Sequence, residues 1–363
     1  MKIILSLENG GIRSIIPAML LRELTVRLER AGCKAPLHTY VDLIAGTGLT
    51  AVIAAGLAFE KPYPAEFSET TPDEVVEMLR FHHDFVFDRS GDLQSGAGPY
   101  SASTFEENLK TRFGETTTFS AAKTGILVPA YDMMNRRAMV FSNLEGACSN
   151  FYVWQALRGT CAMPEIFAPA MVENLPKSRP RGTPLLPLFT GGSMSSDVTL
   201  CAYAEASRLR WTRPGSQVMV ISLGAGLDRR PLPYFDALNA GSHGQDLASV
   251  TPALVSLSSQ VECPAPQMMN SLINRDLGSF DGVATRLNSQ NRGTLNYSRV
   301  NGALSAGRME LDDLSPANIA GLLADGERII GENDAVLNEI VWRISENQAP
   351  ERTAAAARTV IHA

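Results

Sequence analysis

The chain has 363 residues, 45% of them hydrophobic and 19% charged, with a formal net charge of −6. That is enough apolar material for a substantial core, and the negative balance argues against nucleic acid as a partner. No run approaches the roughly 18 apolar residues of a membrane span, so contact with a bilayer, if any, is peripheral.

Met1–Leu7 is too short for a secretory leader, and Ile3–Leu7 reads instead as a central, doubly covered strand. A helix is expected from about Ser14, with Pro17 in its first turn and Ile16, Leu20, Leu24 and Leu28 on one apolar face. Val41–Ala45 predicts a second short strand and Leu49–Phe59 a helix rich in Ala, Val, Ile and Leu. Lys61–Gly98 changes character: prolines at 62, 64 and 72, a helical stretch near Pro72–Phe85, and a Ser/Gly-rich segment from Ser90 to Ser101. Residues 61–101 therefore read as an insertion over one face, in the manner of a lid, with His82 and His83 in ordinary packing or surface roles.

Gly125–Tyr131 and Arg137–Phe141 predict two strands joined at Met133-Met134-Asn135, and Phe151–Ala162 a helix ended by Pro164. Val172–Pro187, with four prolines plus Lys177, Arg179 and Arg181, reads mostly as a surface loop. Leu185–Phe189 is a short strand, Asp197–Trp211 a helix and Gln217–Leu223 a near-continuous apolar strand ending in Gly224-Ala225-Gly226. The region on through Arg275 looks mainly helical, Leu295–Val300 an edge strand, and Ser315–Ile344 one or two closing helices. One domain over residues 1–349 is expected, with 350–363 as a frayed tail. Strands alternating with helices point to an α/β fold with a largely parallel sheet. Cys33, Cys148, Cys161, Cys201 and Cys263 show neither paired nor metal-ligand spacing. Reduced thiols and a cytoplasmic setting are expected, with no metal and no cofactor.

Three glycine-bearing loops each follow a strand and open a helix: Asn9-Gly10-Gly11, Gly46-Thr47-Gly48 and Thr190-Gly191-Gly192-Ser193. In a parallel sheet such loops emerge on one edge, where ligands bind. Backbone amides in a glycine loop at a helix start are suited to hold an oxyanion.

The segment Leu5-Ser6-Leu7-Glu8-Asn9-Gly10-Gly11-Ile12-Arg13 resembles the opening oxyanion-loop segment of the patatin-like phospholipases, and Val41–Thr50 resembles that family's nucleophile elbow. The likeness continues through Val128–Asp132, Trp154–Pro164, Thr190–Met194, Val220–Gly226, Tyr297–Val300 and Met309–Ile319, nearly end to end. It implies a three-layer α/β/α fold with a mostly parallel central sheet, a helical insertion and C-terminal helices. It also implies a serine–aspartate dyad, in which serine attacks an ester carbonyl and aspartate takes its proton. Carried over position by position, the nucleophile falls on Gly48 and the base on Thr190, and neither side chain performs that task. Asn9 replaces the first loop glycine, Glu8 an aspartate and Thr50 the last elbow glycine, while Gly10, Gly11, Arg13 and Gly46 remain.

The expected ligand site is therefore Asn9, Gly10, Gly11, Arg13, Thr47, Gly48, Thr190, Gly191 and Gly192. Glu8, Thr50, Asp132, Ser195 and Asp197 are auxiliary candidates. Thr50, Ser195 and Ser196 read as helix caps, Asp197 as a first-turn carboxylate or a displaced base, Cys161 as a buried thiol, and Glu8 as a residue that orders the loop. Three readings stay open. The chain binds an acyl or lipid-like ligand, or a protein partner such as an active paralogue or a second copy, without turnover. It uses the loop for non-covalent lyase, isomerase or cyclase chemistry, with Arg13 or a pocket carboxylate assisting. Or it hydrolyses lipid esters with a relocated Ser or Thr. If the elbow geometry persists, Gly48→Ser with Thr190→Asp should restore esterase activity.

Overall fold

A computed structural model describes residues 1–60, 71–89, 99–144, 151–163, 166–173, 175, 185–190, 197–227 and 294–361, with side chains to residue 348. The expected mainly helical region through Arg275 lies outside these residues beyond position 227.

The strands are β1 (Lys2–Leu7), β2 (Leu43–Gly46), β3 (Gly125–Asp132), β4 (Arg137–Ser142), β5 (Ala170–Glu173), β6 (Leu185–Thr190), β7 (Gln217–Leu223) and β8 (Thr294–Val300). They form one sheet in the order β5-β6-β3-β2-β1-β7-β8, with β4 also on β3. β1, β2, β3, β7 and β8 are mutually parallel, and β4, β5 and β6 are antiparallel additions. The helices are α1 (Ile15–Arg30), α2 (Leu49–Ala58), α3 (Pro72–Phe81), α4 (Ala102–Phe113), α5 (Val153–Thr160), α6 (Thr199–Arg208), α7 (Pro316–Glu332) and α8 (Asp334–Ile361).

The sheet is covered on both faces, giving an α/β/α arrangement. Leu5, Leu7 and Ile44 face a large core that includes α1, α2 and the C-terminal helices. Ile4, Leu43 and Val220 face a smaller one under α6, with Val198, Ala202 and Ala206. β1 is buried from Ile3 to Leu7, as its apolar run demands. α2 is buried at all ten positions, which accounts for its lack of a polar face. α3 opens on a full capping box, Thr71 with Glu74, and Pro72 in its first turn.

Several expectations change. Ala102–Phe113, over which no element was expected, is a helix capped by Ser101 and burying Phe105, Leu109 and Phe113. The proline-rich stretch read mostly as a loop opens on the second half of β5, because Val172 pairs with Leu186 of the expected strand β6 and both fill the core. α8 runs through Pro350 to Ile361.

The antiparallel direction of β6 matters most. Ala130–Asp132 pairs with β4 and β6 at once, so these two lie on opposite edges of β3. Leu127 pairs with β4 and β2 at once, so β2 and β6 share the other edge. β3 therefore overshoots the end of β2, and β6 runs back along the overhang towards it. The third loop reaches the elbow head-on, not as the end of another parallel strand.

Candidate functional site

The elbow between β2 and α2 is fully built. Gly46 has no room for a side chain, since a Cβ there would sit 2.4 Å from the Thr50 carbonyl oxygen. Gly48 has φ +54° and ψ −133°, a conformation that strains any side-chain-bearing residue. The Thr50 hydroxyl braces the turn: it donates to the carbonyls of Leu7 (3.0 Å) and Thr47 (2.9 Å) and accepts from the Thr47 amide (3.2 Å). Thr50 thus ties β1 to the elbow, while the N-cap position itself belongs to Gly48. Thr160 completes the brace, accepting from the Gly48 amide at 3.1 Å, donating to the Pro129 carbonyl and meeting the Thr47 hydroxyl at 3.3 Å. Thr47 and Thr50 are both fully buried and committed to these bonds, so neither is poised as a nucleophile.

A cleft lies over this turn. Asn9, Gly11, Gly48 and Thr190 meet there with Cys161 and an apolar lining of Leu49, Val86, Phe87, Met163, Ile166, Phe167 and Leu311. It is partly open to solvent. Val86 and Phe87 come from the insertion. Leu311 comes from the segment before α7, whose carbonyl accepts from the Ile12 amide at 2.8 Å. Tyr100 joins the two, accepting from Arg89 (3.1 Å) and donating to Asp312 (2.9 Å). Burial pushes the Cys161 thiol up to about 12, with Arg158 pulling weakly the other way, so it stays protonated at neutral pH. Cys161 is the one titratable side chain among the described residues that line the cleft.

Asn9 is the residue whose position sequence reasoning did not foresee. A Cβ built on Gly48 would lie 2.5 Å from Asn9 Nδ2 and 2.8 Å from its Cγ. The carboxamide thus fills the place where a nucleophile's side chain would start. Its Oδ1 accepts from the Gly11 amide at 3.4 Å. The amides of Ile12 and Arg13 donate to Leu311 and Gly10 carbonyls. Three amides of the glycine loop are thus engaged within the protein. A serine at position 48 would require the Asn9 side chain to shift.

The remaining candidates lie away from the cleft. Gly10 and Arg13 pack beneath the loop, and Arg13 Nη1 donates to the carbonyls of Ala225 (3.2 Å) and Gly226 (3.3 Å). Burial lowers the Arg13 guanidinium to about 10, against the pull of Glu8 and Glu310. Arg13 Nε and Nη2 have no partner among the described residues. Asp132 closes the β3–β4 turn, accepting from the Met134 and Asn135 amides and from Asn135 Nδ2. Burial opposes its ionisation, yet those bonds and Arg137 hold its carboxyl below the ordinary range.

Asp197 and Glu8 belong to a polar cluster around Arg299. Arg299 donates to Glu8 (2.7 Å), Asp197 (3.1 Å) and the Ser222 hydroxyl (2.7 Å). Asp197 also accepts from the Thr199 amide at 2.8 Å and from its hydroxyl, opening α6. It is not a displaced base of the cleft. Burial raises the Glu8 carboxyl, with Arg299 opposing and Asp197 adding to the rise. Ser6 and Ser222, two polar residues inside central strands, serve this cluster. Gly191, Gly192, Ser193, Ser195 and Ser196 lie outside the described residues. No group of three or more metal-ligating side chains occurs among the described residues.

The site is thus a doubly covered, mostly parallel sheet whose strand–elbow–helix turn presents a glycine, Gly48, at its tip. No family model matches the chain. Patatin-2-Kuras 4 of Solanum tuberosum is 27% identical over 349 residues, 90% of this chain and 86% of that protein. "Probable inactive patatin-3-Kuras 1" of the same plant is 24% identical, covering 94% of this chain and 90% of its own. Patatin-like protein 2 of Oryza sativa subsp. indica is 27% identical over 254 residues, and the chain spans only 60% of its length. Among solved structures, VipD from Legionella pneumophila covers 91% of this chain and 67% of its own, at TM-score 0.41 and 9% identity. In sequence the chain is similar to patatins and patatin-like proteins, at 24–27% identity.

Proposed function

We propose that this chain is a catalytically degenerate patatin-like protein that holds an acyl or similarly apolar ligand in the elbow cleft without hydrolysing esters. The observation that carries this reading is the Asn9 carboxamide seated at the vacated nucleophile position beside Gly48. An apolar lining suits a hydrocarbon chain, and Asn9 Nδ2 offers a donor to a carbonyl or carboxylate head. Acid–base chemistry without a covalent intermediate is less well supported, since Cys161 is the titratable group among the described lining residues and it is held protonated. That two relatives carry "inactive" in their names agrees with this reading. A cytoplasmic setting belongs to this proposal, on the lack of paired spacing among the five cysteines in the sequence.

The test pairs binding with turnover. A fluorescent fatty acid should bind the protein saturably and be displaced by oleate, while a p-nitrophenyl ester is left intact and a fluorophosphonate labels nothing. Steady ester turnover, or stoichiometric labelling of Ser193, Ser195 or Ser196, would overturn the proposal.

A further inference from the structure

The overhang formed by β3, β4, β5 and β6 presents an unusual surface for a chain of net charge −6. Met133 (43% exposed), Met134 (50%), Met171 (55%) and Leu185 (40%) account for four of the six exposed large hydrophobic side chains among the described residues. The ladders bring them together. Met171 pairs with Pro187 and Glu173 with Leu185, and the Met133 amide donates to the Pro187 carbonyl at 3.1 Å. Leu185 and Pro187 alternate with the buried Leu186 and Leu188, so one face of this ribbon packs into the core and the other is open.

The charge at this tip is positive. Arg136 and Arg137 follow the two methionines and are both exposed, and Arg137 is also 3.5 Å from the buried Asp132. In sequence, the stretch from Glu173 to Pro184 holds three basic residues, Lys177, Arg179 and Arg181, against one acidic residue, the exposed Glu173. Adjacent flexible apolar side chains beside two exposed arginines match an interface with anionic headgroups above and acyl chains below. A protein partner would be met as well by the methionines alone, but would not account for the basic excess on an otherwise acidic chain.

We infer that the Met133-Met134 tip, with Met171, Leu185, Arg136 and Arg137, docks the protein on an anionic lipid bilayer. The inference is independent of what the cleft binds. It is tested by co-sedimentation with phosphatidylcholine vesicles containing phosphatidylserine, against pure phosphatidylcholine. Wild-type protein should pellet with the anionic vesicles, and less so as salt is raised. Met133→Ser with Met134→Ser should weaken binding at least fivefold. Arg136→Asn with Arg137→Gln should weaken it by about fivefold per charge; asparagine is chosen because Arg136 has φ +51°. All four positions are exposed, and circular dichroism confirms that each variant is folded. Failure to pellet with anionic vesicles, or pelleting that both double variants leave unchanged, overturns the inference. So does a methionine-dependent dimer in solution that leaves lipid unbound.

Discussion

Asn9 and Gly48 are complementary: the carboxamide of one occupies the space that a side chain on the other would need, 2.5 Å from the missing Cβ. Gly48→Ala should therefore destabilise the protein by about 3 kcal/mol, from backbone strain and overpacking together. Adding Asn9→Gly should recover the steric part, giving a coupling of about 1–3 kcal/mol in a double-mutant cycle read by urea denaturation. Additive single effects would show that the two residues do not share the space.

The same contact sets the requirements for regaining chemistry. Asn9→Gly, Gly48→Ser and Thr190→Asp together should hydrolyse p-nitrophenyl butyrate at least about a hundredfold faster than the wild type, since nucleophile and base act as a unit. Gly48→Ser with Thr190→Asp but with Asn9 retained should stay near background.

Asp325 organises the segment that roofs the cleft. Its buried carboxylate accepts from the amides of Ser305, Ala306 and Gly307, the Ser305 hydroxyl and Arg328. Burial opposes its ionisation, but those donors prevail and bring it down to about 2. A folded-state value below the unfolded one makes its stabilisation complete above about pH 4 and lost as the pH falls towards 2. Asp325→Asn should cost about 3 kcal/mol at pH 7. The difference from the wild type should shrink between pH 4 and 2 in chemical denaturation.

The Glu8–Arg299–Asp197 cluster predicts an asymmetry. Arg299→Met leaves two buried carboxylates uncompensated and should cost about 3–5 kcal/mol. Glu8→Gln should change stability by no more than about 1 kcal/mol, because Arg299 keeps Asp197. Glu8 is raised in the folded state, so its contribution is fully favourable at low pH and declines as the pH rises past about 4. The Glu8→Gln variant should accordingly gain on the wild type as the pH rises above about 4.

Much of the scaffold was legible in the sequence because local patterns suffice for it. The apolar runs Ile3–Leu7 and Gln217–Leu223 can satisfy their backbones only as covered strands, and Gly46 and Gly48 mark the elbow through conformations and contacts other residues do not accept. Ala102–Phe113 was missed because its apolar residues are sparse and follow a Ser/Gly-rich stretch. β5 was hidden by the prolines that surround it.

The sequence by itself determined that Gly48 and Thr190 cannot act as nucleophile and base, since that follows from side-chain chemistry alone. Only the tertiary structure decided what stands in their place. β6 returns antiparallel to bring Thr190 to the elbow, Asn9 folds from a different strand into the gap at Gly48, and Asp197 pairs with Arg299, 102 positions away. Such encounters depend on how far one strand overshoots another and on which charges find a partner in the interior. Neither is written in the residues near Asn9 or Asp197.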